Sequence, residues 1–303
     1  MATPIQNKDI TYLTTMKTKV VADWYVEATT PTELAESVAF AKSHEIPYIL
    51  IGGGSNTVIV TPRVEALVIK NRDSRLEVVG ETDESVEVKV SGGYMMPRLV
   101  SECIERGWSG LEYHRGLPGS VGGAIYMNSK WTHPVAYVGD VLISATLLTP
   151  AGEVKTADRA YFEFAYDYSH LHKTHEIVLD VTFRFQKEDV AVVRQRADEA
   201  LAHRTQTQPK ATHTCGCFFQ NITDEEAEAI GVSTKSAGNL IDKVGMKGVQ
   251  YGSFMVSTQH ANFILDEKGS GDPKDLLKLV QEIKKRVHDA YGITLREEVV
   301  VIV

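Results

Sequence analysis

Cysteine is scarce in this chain, with three in 303 residues: Cys103, Cys215 and Cys217. Three thiols so spaced give no disulfide framework and fit a reducing compartment. Long apolar runs are missing as well; the longest are strand-sized, against the roughly 20 residues that a membrane-spanning helix needs. The start of the chain, M-A-T-P-I-Q-N-K-D-I, has no apolar signal-peptide core. Positive charge is in deficit, 32 Lys and Arg against 40 Asp and Glu for a formal net charge of −8. That balance argues against nucleic acid and anionic membrane surfaces as partners. The expectation is a cytoplasmic protein. What is present is 43% apolar and 24% charged residues, an ordinary globular composition on a chain long enough for two domains or three small ones.

Local signals set out the elements. Thr30-Pro31-Thr32-Glu33 reads as a capping box opening a helix, with Leu34, Ser37, Val38 and Ala41 on one face and an end near His44. A strand is expected at Tyr48–Ile51, and alternation in S-V-E-V-K-V-S predicts another over Ser85–Ser91 with three valines on one face. Gly92-Gly93 leads to a helix from Pro97 to Arg106, stopped by Gly107. Residues 138–186 read as short strands with turns, and 187–202 as a charged helix. Residues 205–213, T-Q-T-Q-P-K-A-T-H, read as a loop. Asp272-Pro273 caps a helix carrying Leu276, Leu279, Val280, Ile283 and Val287 on one face, closed by Gly292, and residues 295–303 read as a final apolar strand. The first two-thirds is therefore expected to be α+β, followed by a further unit.

Residues 48–56, Y-I-L-I-G-G-G-S-N, stand out: an apolar run ends in three consecutive glycines. Glycines cost backbone entropy and fill no core, so folding gives no evident use for three of them. They suit a main chain that presents bare N–H groups to an anion such as a phosphate or pyrophosphate. Residues 116–124, G-L-P-G-S-V-G-G-A, form a second such loop. Neither fits G-x-x-x-x-G-K-[ST] or G-x-G-x-x-G, which weakens nucleotide triphosphatase and Rossmann readings. Two plain turns stay open as the alternative.

These two segments resemble the flavin-binding signatures of the UDP-N-acetylenolpyruvoylglucosamine reductase (UDP-N-acetylmuramate dehydrogenase) family. The resemblance continues, in the family's order, through C-G-C-F-F-Q-N at 215–221, S-A-G-N-L-I-D at 236–242, V-S-T-Q-H-A-N-F at 256–263 and Y-G-I-T-L-R-E-E-V at 291–299. It implies an α+β fold with noncovalent FAD in a two-part domain of the vanillyl-alcohol-oxidase type, residues 1–72 and 73–203. A C-terminal α+β substrate domain, 204–303, would follow, its last strand carrying a catalytic glutamate. Gly52, Gly53, Gly54, Ser55, Asn56, Gly116, Pro118, Gly119, Ser120, Gly122, Gly123 and Ala124 would contact the cofactor. NADPH would reduce the flavin, which would then reduce the enolpyruvyl group of a UDP-sugar to give UDP-N-acetylmuramate. Such an enzyme serves peptidoglycan synthesis and so cell-wall biogenesis, cell shape and division. A monomer is expected.

Hydride addition to an enol ether bearing a carboxylate needs stabilisation of enolate-like charge and a proton for the adjacent carbon. The family's donor is a serine in G-S-x-F; Cys217 stands there, and a thiol, with a reference pKa near 8.5, is a competent acid. A small cysteine packed beside Phe218 and Phe219 is the bland alternative. A Cys215–Cys217 disulfide would strain a very short loop, and His213 brings no further metal ligands, so no metal is expected. Glu298 matches the family's catalytic glutamate, or is a solvated strand end; alternation turns Glu297 the other way. Asn221 matches a substrate-contacting amide, or is a turn residue. Tyr166 and Ser169 fit the family's Y-R-x-S, but its arginine, which neutralises the substrate carboxylate, falls on Asp167. The family's N-A-G-A-Y-G is replaced by N-S-K-W-T-H at 128–133, so that a cation could come from Lys130 or Arg115. Another FAD-dependent oxidoreductase of this fold, and a non-catalytic flavin or UDP-sugar binder, remain alternatives.

Overall fold

The valine alternation becomes the strand Ser85–Ser91, with Val86, Val88 and Val90 fully buried. In the computed structural model, which describes residues 3–209 and 213–303, this strand lies next to the longest one, Ile177–Lys187. The sheet order is Val154–Asp158, Leu142–Leu148, Ile177–Lys187, Ser85–Ser91 and Leu76–Glu81, all antiparallel, with Trp108–Ser109 added at the end of Ile177–Lys187. The buried face packs Val88, Val90, Phe183 and Phe185 against Leu99, Val100 and Cys103 of the helix Met96–Arg106, and against Val121 and Ile125 of the helix Val121–Met127. Each such side chain contributes about 1.5–3 kcal/mol by leaving water.

The chain divides into two compact units. The first holds the N-terminal residues to Ile5 with 24–53 and 66–204; the second holds 6–23, 54–65 and 205–303. In the first, Tyr48–Ile51 runs parallel to residues 67–70 of the strand Arg63–Asn71. The helix Pro31–Ser43 lays Leu34, Val38 and Ala41 on Leu67 and Ile69. Thr30 caps that helix by accepting from the Glu33 amide at 3.1 Å, but the Glu33 carboxylate reaches back to Thr29, not Thr30, so the box is displaced by one residue.

In the second unit a three-stranded antiparallel sheet (Gln250–Tyr251, Phe254–Val256, Ile264–Asp266) and the helices Ala237–Lys243 and Pro273–Tyr291 enclose Phe218, Phe219, Leu276, Leu279 and Ile283. The last strand, Val300–Ile302, pairs in parallel with Thr57–Ile59. It is shorter than the expected 295–303 because its partner has three residues and 296–298 turn to other backbone neighbours. The charged helix runs Val190–Thr207, beyond the expected end at 202. Polar Thr and Gln do not break a helix; the stop waits for Pro209, which disfavours helical backbone before it. Of the expected loop 205–213, residues 210–212 lie outside the described residues. Among the described residues no helix is long and apolar enough to cross a membrane.

Candidate active site

The two glycine loops meet. A Cβ on Gly52 would lie against Ser120 Oγ and Cβ, and one on Gly53 would lie 2.7 Å from the Gly119 carbonyl carbon and 3.0 Å from the Ser120 amide nitrogen. A Cβ on Gly54 would meet Leu13 backbone at 3.0 Å, and one on Gly122 would lie 3.0 Å from the Gly92 oxygen. Folding does need these glycines, contrary to the expectation from sequence: they let main chain pack on main chain. The Lys70 ammonium donates to the Gly52 carbonyl from below, and burial draws its pKa down to about 8. Ser120 caps the helix Val121–Met127, accepting from Gly123 N at 3.5 Å. Gly119 O accepts from Met96 N at 2.9 Å and Val121 N donates to Tyr94 O at 2.8 Å, which fixes the second loop. Arg115 pairs with Asp198, and Gly116 (φ +83°) lies against Leu201 and Arg204 on the same helix.

This region of the first unit fits a flavin pyrophosphate. Gly123 is exposed, and its absent Cβ would have no neighbour nearer than 3.6 Å, so space opens on the outer side of the loop. Among the described residues the amides of Gly53, Gly119 and Ser120 have no acceptor. Bare donors next to a helix N-terminus are an anion cradle. Pro118 is exposed, and Ala124 is buried in the helix. Gly52, Gly53, Gly119, Ser120, Gly122 and Gly123 can hold FAD there. His114, just upstream, is a residue the sequence reading passed over. It is 1% exposed, its Nε2 lies 3.1 Å from Ser129 O, its Nδ1 has no hydrogen-bond partner among the described residues, and burial lowers its pKa to about 4.

The second unit carries the acid–base candidates. Phe218 O accepts from Glu298 N at 2.9 Å, Gln220 N donates to Arg296 O at 2.9 Å, and Phe219 bridges Glu297. Eighty residues apart in sequence, Cys217 and Glu298 therefore stand on adjoining rungs. Cys217 is half-buried, after a turn at Gly216 (φ +84°). Cys215 is buried, and desolvation pushes its thiol up to about 12, with the Glu298 charge adding to the rise. Glu297 turns to Lys284 at 2.8 Å. Asn56 reaches Glu298 as well: its Nδ2 donates to the Glu298 carbonyl at 3.1 Å, and its own carbonyl accepts from Val300 N at 2.9 Å. Asn262 holds 217–219 from the other side, accepting from Phe219 N at 2.9 Å and donating to Phe219 O at 2.7 Å. Nothing local in the sequence marks that role; its buried amide is matched to its partner only by the fold. Asn221 is exposed, with Oδ1 accepting from Ala237 N at 3.1 Å and its NH2 group turned from that bond. Gly54, Ser55 and Asn56 lie in this unit; Ser55 is half-buried. No cluster of three metal-ligating side chains occurs among the described residues.

Tyr166 and Asp167 form the corner of a tight turn in the first unit, closed by Ala165 N to Tyr168 O at 3.1 Å. Asp167 takes φ +50° and is buried, which raises its pKa to about 6 against the Tyr166 hydroxyl and the Lys130 charge, both of which favour ionisation.

A glycine cradle in the first unit, and a thiol and a carboxylate on paired backbone in the second, suit a flavin-dependent oxidoreductase. Residues 22–158 match the FAD binding domain family, and 208–302 match the C-terminal domain of UDP-N-acetylenolpyruvoylglucosamine reductase. The chain is 30% identical to the Bacillus subtilis UDP-N-acetylenolpyruvoylglucosamine reductase over 98% of its own length and 93% of the relative's. It is 34% identical to that of Lactobacillus delbrueckii subsp. bulgaricus, covering 98% and 94%. The crystal structure of the Thermus caldophilus reductase superimposes with a TM-score of 0.78 at 28% identity, covering 99% of this chain and 98% of that one. The protein is an FAD-dependent oxidoreductase, of the α+β class expected. It belongs to the UDP-N-acetylenolpyruvoylglucosamine reductase family.

Proposed function

We propose that the protein reduces UDP-N-acetylglucosamine enolpyruvate to UDP-N-acetylmuramate with NADPH, as a cytoplasmic monomer supplying peptidoglycan synthesis and thereby cell-wall growth, shape and division. The observation that supports this reading is the backbone pairing of 218–220 with 296–298, which brings the main chain at Cys217 and at Glu298 to adjoining rungs. Bound FAD supplies hydride, received from NADPH, to the terminal carbon of the enol ether.

The chain's own residues do the rest. The glycine loops hold the pyrophosphate with unobstructed amides. Cys217 keeps a proton on Sγ and delivers it to the carbon beside the carboxylate, a step in which a positioned acid typically contributes 10²–10⁴-fold. Glu298, one rung away, orients that region and shares its proton. The thiol is a stronger acid than the family's serine, so less help is needed to release the proton. Asn221, through the NH2 group not engaged with Ala237, donates to the substrate's phosphate, and Tyr166 contacts the sugar nucleotide. Asp167 is the residue that favours a different substrate, since a carboxylate there cannot neutralise another.

The test is anaerobic. NADPH should bleach the flavin absorbance, and UDP-N-acetylglucosamine enolpyruvate should restore it. Bleaching without restoration by this compound would point to the other substrate; a bound flavin that NADPH fails to bleach would overturn both oxidoreductase readings.

A further inference from the structure

The enolpyruvyl carboxylate, and the enolate charge that develops against it, require a cation. Position 167 does not supply one. Several cations near the second glycine loop are otherwise engaged: Arg115 is paired with Asp198, and Arg159 donates to Gly139 O at 2.8 Å with Asp140 at 3.5 Å. Arg204 lies over Trp131, its guanidinium carbon 4.9 Å from the ring centroid. Lys130 differs from them. It opens the strand Lys130–Thr132, directly across from Tyr137 in a hairpin with Val135–Tyr137. Its Nζ lies 5.6 Å from the Tyr137 ring centroid and 5.3 Å from that of Tyr166. Among the described residues it has no hydrogen-bond acceptor and no carboxylate within 4.0 Å, although an ammonium carries three donors.

The turn beside it is held in place. Asn128, the left-handed cap of the helix that starts at the glycine loop, donates to Ala165 O at 3.1 Å and accepts from Gly139 N at 3.2 Å. This fixes Tyr166 and Asp167 next to the residue two after Asn128. Asp167 is 8% exposed, yet among the described residues its Oδ2 has no hydrogen-bond partner. A half-buried ammonium with open donors, flanked by two aromatic faces, is a group poised for an anionic ligand.

We propose that Lys130 is the cation that binds the substrate's enolpyruvyl carboxylate, with the Tyr137 and Tyr166 rings restricting its ammonium. Its ammonium stands on the hairpin next to the tight turn, where two tyrosine rings restrict it. This assignment rests on the function proposed above.

The experiment measures steady-state kinetics with UDP-N-acetylglucosamine enolpyruvate, and binding of UDP-N-acetylglucosamine, which lacks the carboxylate. Lys130→Met should raise KM for the enolpyruvyl compound about 10- to 100-fold. The affinity for UDP-N-acetylglucosamine should stay within about twofold, and Lys130→Arg should recover most of the loss. If Lys130→Met fails to hold flavin, Lys130→Arg against Lys130→Gln gives the same comparison. Unchanged KM in the neutral variant, or equal weakening of both nucleotides, overturns the assignment while leaving the proposed function standing. A wild-type protein that does not turn over the enolpyruvyl compound overturns both.

Discussion

Gly123→Ala separates a glycine kept for a ligand from one kept for packing. At Gly123 a Cβ meets nothing nearer than Ser120 Oγ at 3.6 Å, ordinary contact, and the residue lies in the helix Val121–Met127. Replacing glycine by alanine inside a helix stabilises by about 0.5–1 kcal/mol. For a unit of this size that raises the Tm of the flavin-free protein by about 1–4 °C. If the loop's outer face lies against the flavin pyrophosphate, the same methyl group intrudes on the contact, and overpacking of about 1–3 kcal/mol translates to about 5- to 150-fold weaker FAD binding. Gly53→Ala is the control: its Cβ would sit 2.7 Å from the Gly119 carbonyl carbon, so both stability and FAD affinity should fall. Thermal unfolding of apoprotein and FAD titration by fluorescence quenching read both quantities. A Gly123→Ala protein that is more stable and binds FAD as tightly as wild type would refute the placement of the cofactor on this face.

Three further perturbations follow from the site. Asp167 has a folded-state pKa of about 6, above its ordinary 3.8, so the folded state binds the extra proton and stability falls as pH rises through that window. Asp167→Asn should therefore gain on the order of 2–3 kcal/mol over wild type at pH 8, with the gain gone below about pH 4; a Tm difference constant with pH contradicts this. His114 runs the other way: its pKa is lowered from 6.5 to about 4, so stability is full above the unfolded value and is lost as pH falls toward 4. His114→Gln, which keeps a donor for Ser129 O, should flatten that acid loss of about 3 kcal/mol, and an unflattened Tm–pH curve would count against it. Cys217→Ala should slow substrate-driven flavin reoxidation by about 10²–10⁴-fold and spare reduction by NADPH, whereas Cys217→Ser keeps measurable turnover. Equal loss in both half-reactions would remove Cys217 from the proton-donor role.

Local rules made much of this fold legible. The Tyr48–Ile51 and Ser85–Ser91 strands, the Thr30 cap and the Gly107 and Gly292 stops depend on neighbours within a few residues, and sequence displays those directly. What was not legible depends on partners far along the chain. The glycines at 52 and 53 looked surplus to folding because Gly119 and Ser120, which occupy their missing Cβ positions, are more than sixty residues away. The last strand looked longer than it is because the three-residue partner Thr57–Ile59 sets its length. The Val190–Thr207 helix outran its apolar pattern, since its end is set by Pro209. In the site, Cys217 and Glu298 could be matched by motif, but their adjacency comes from the zipper and from Asn262, whose amide pairs with Phe219 backbone. Lys130 gained meaning only when the hairpin set it between two tyrosine rings.

The most direct test of the proposed reaction is product analysis by mass spectrometry after incubation with NADPH and UDP-N-acetylglucosamine enolpyruvate in D2O. The product should carry two hydrogens more than the substrate, the one on the carbon beside the carboxylate being a deuteron from solvent. Recovery of unchanged substrate from protein whose flavin NADPH does bleach would contradict it.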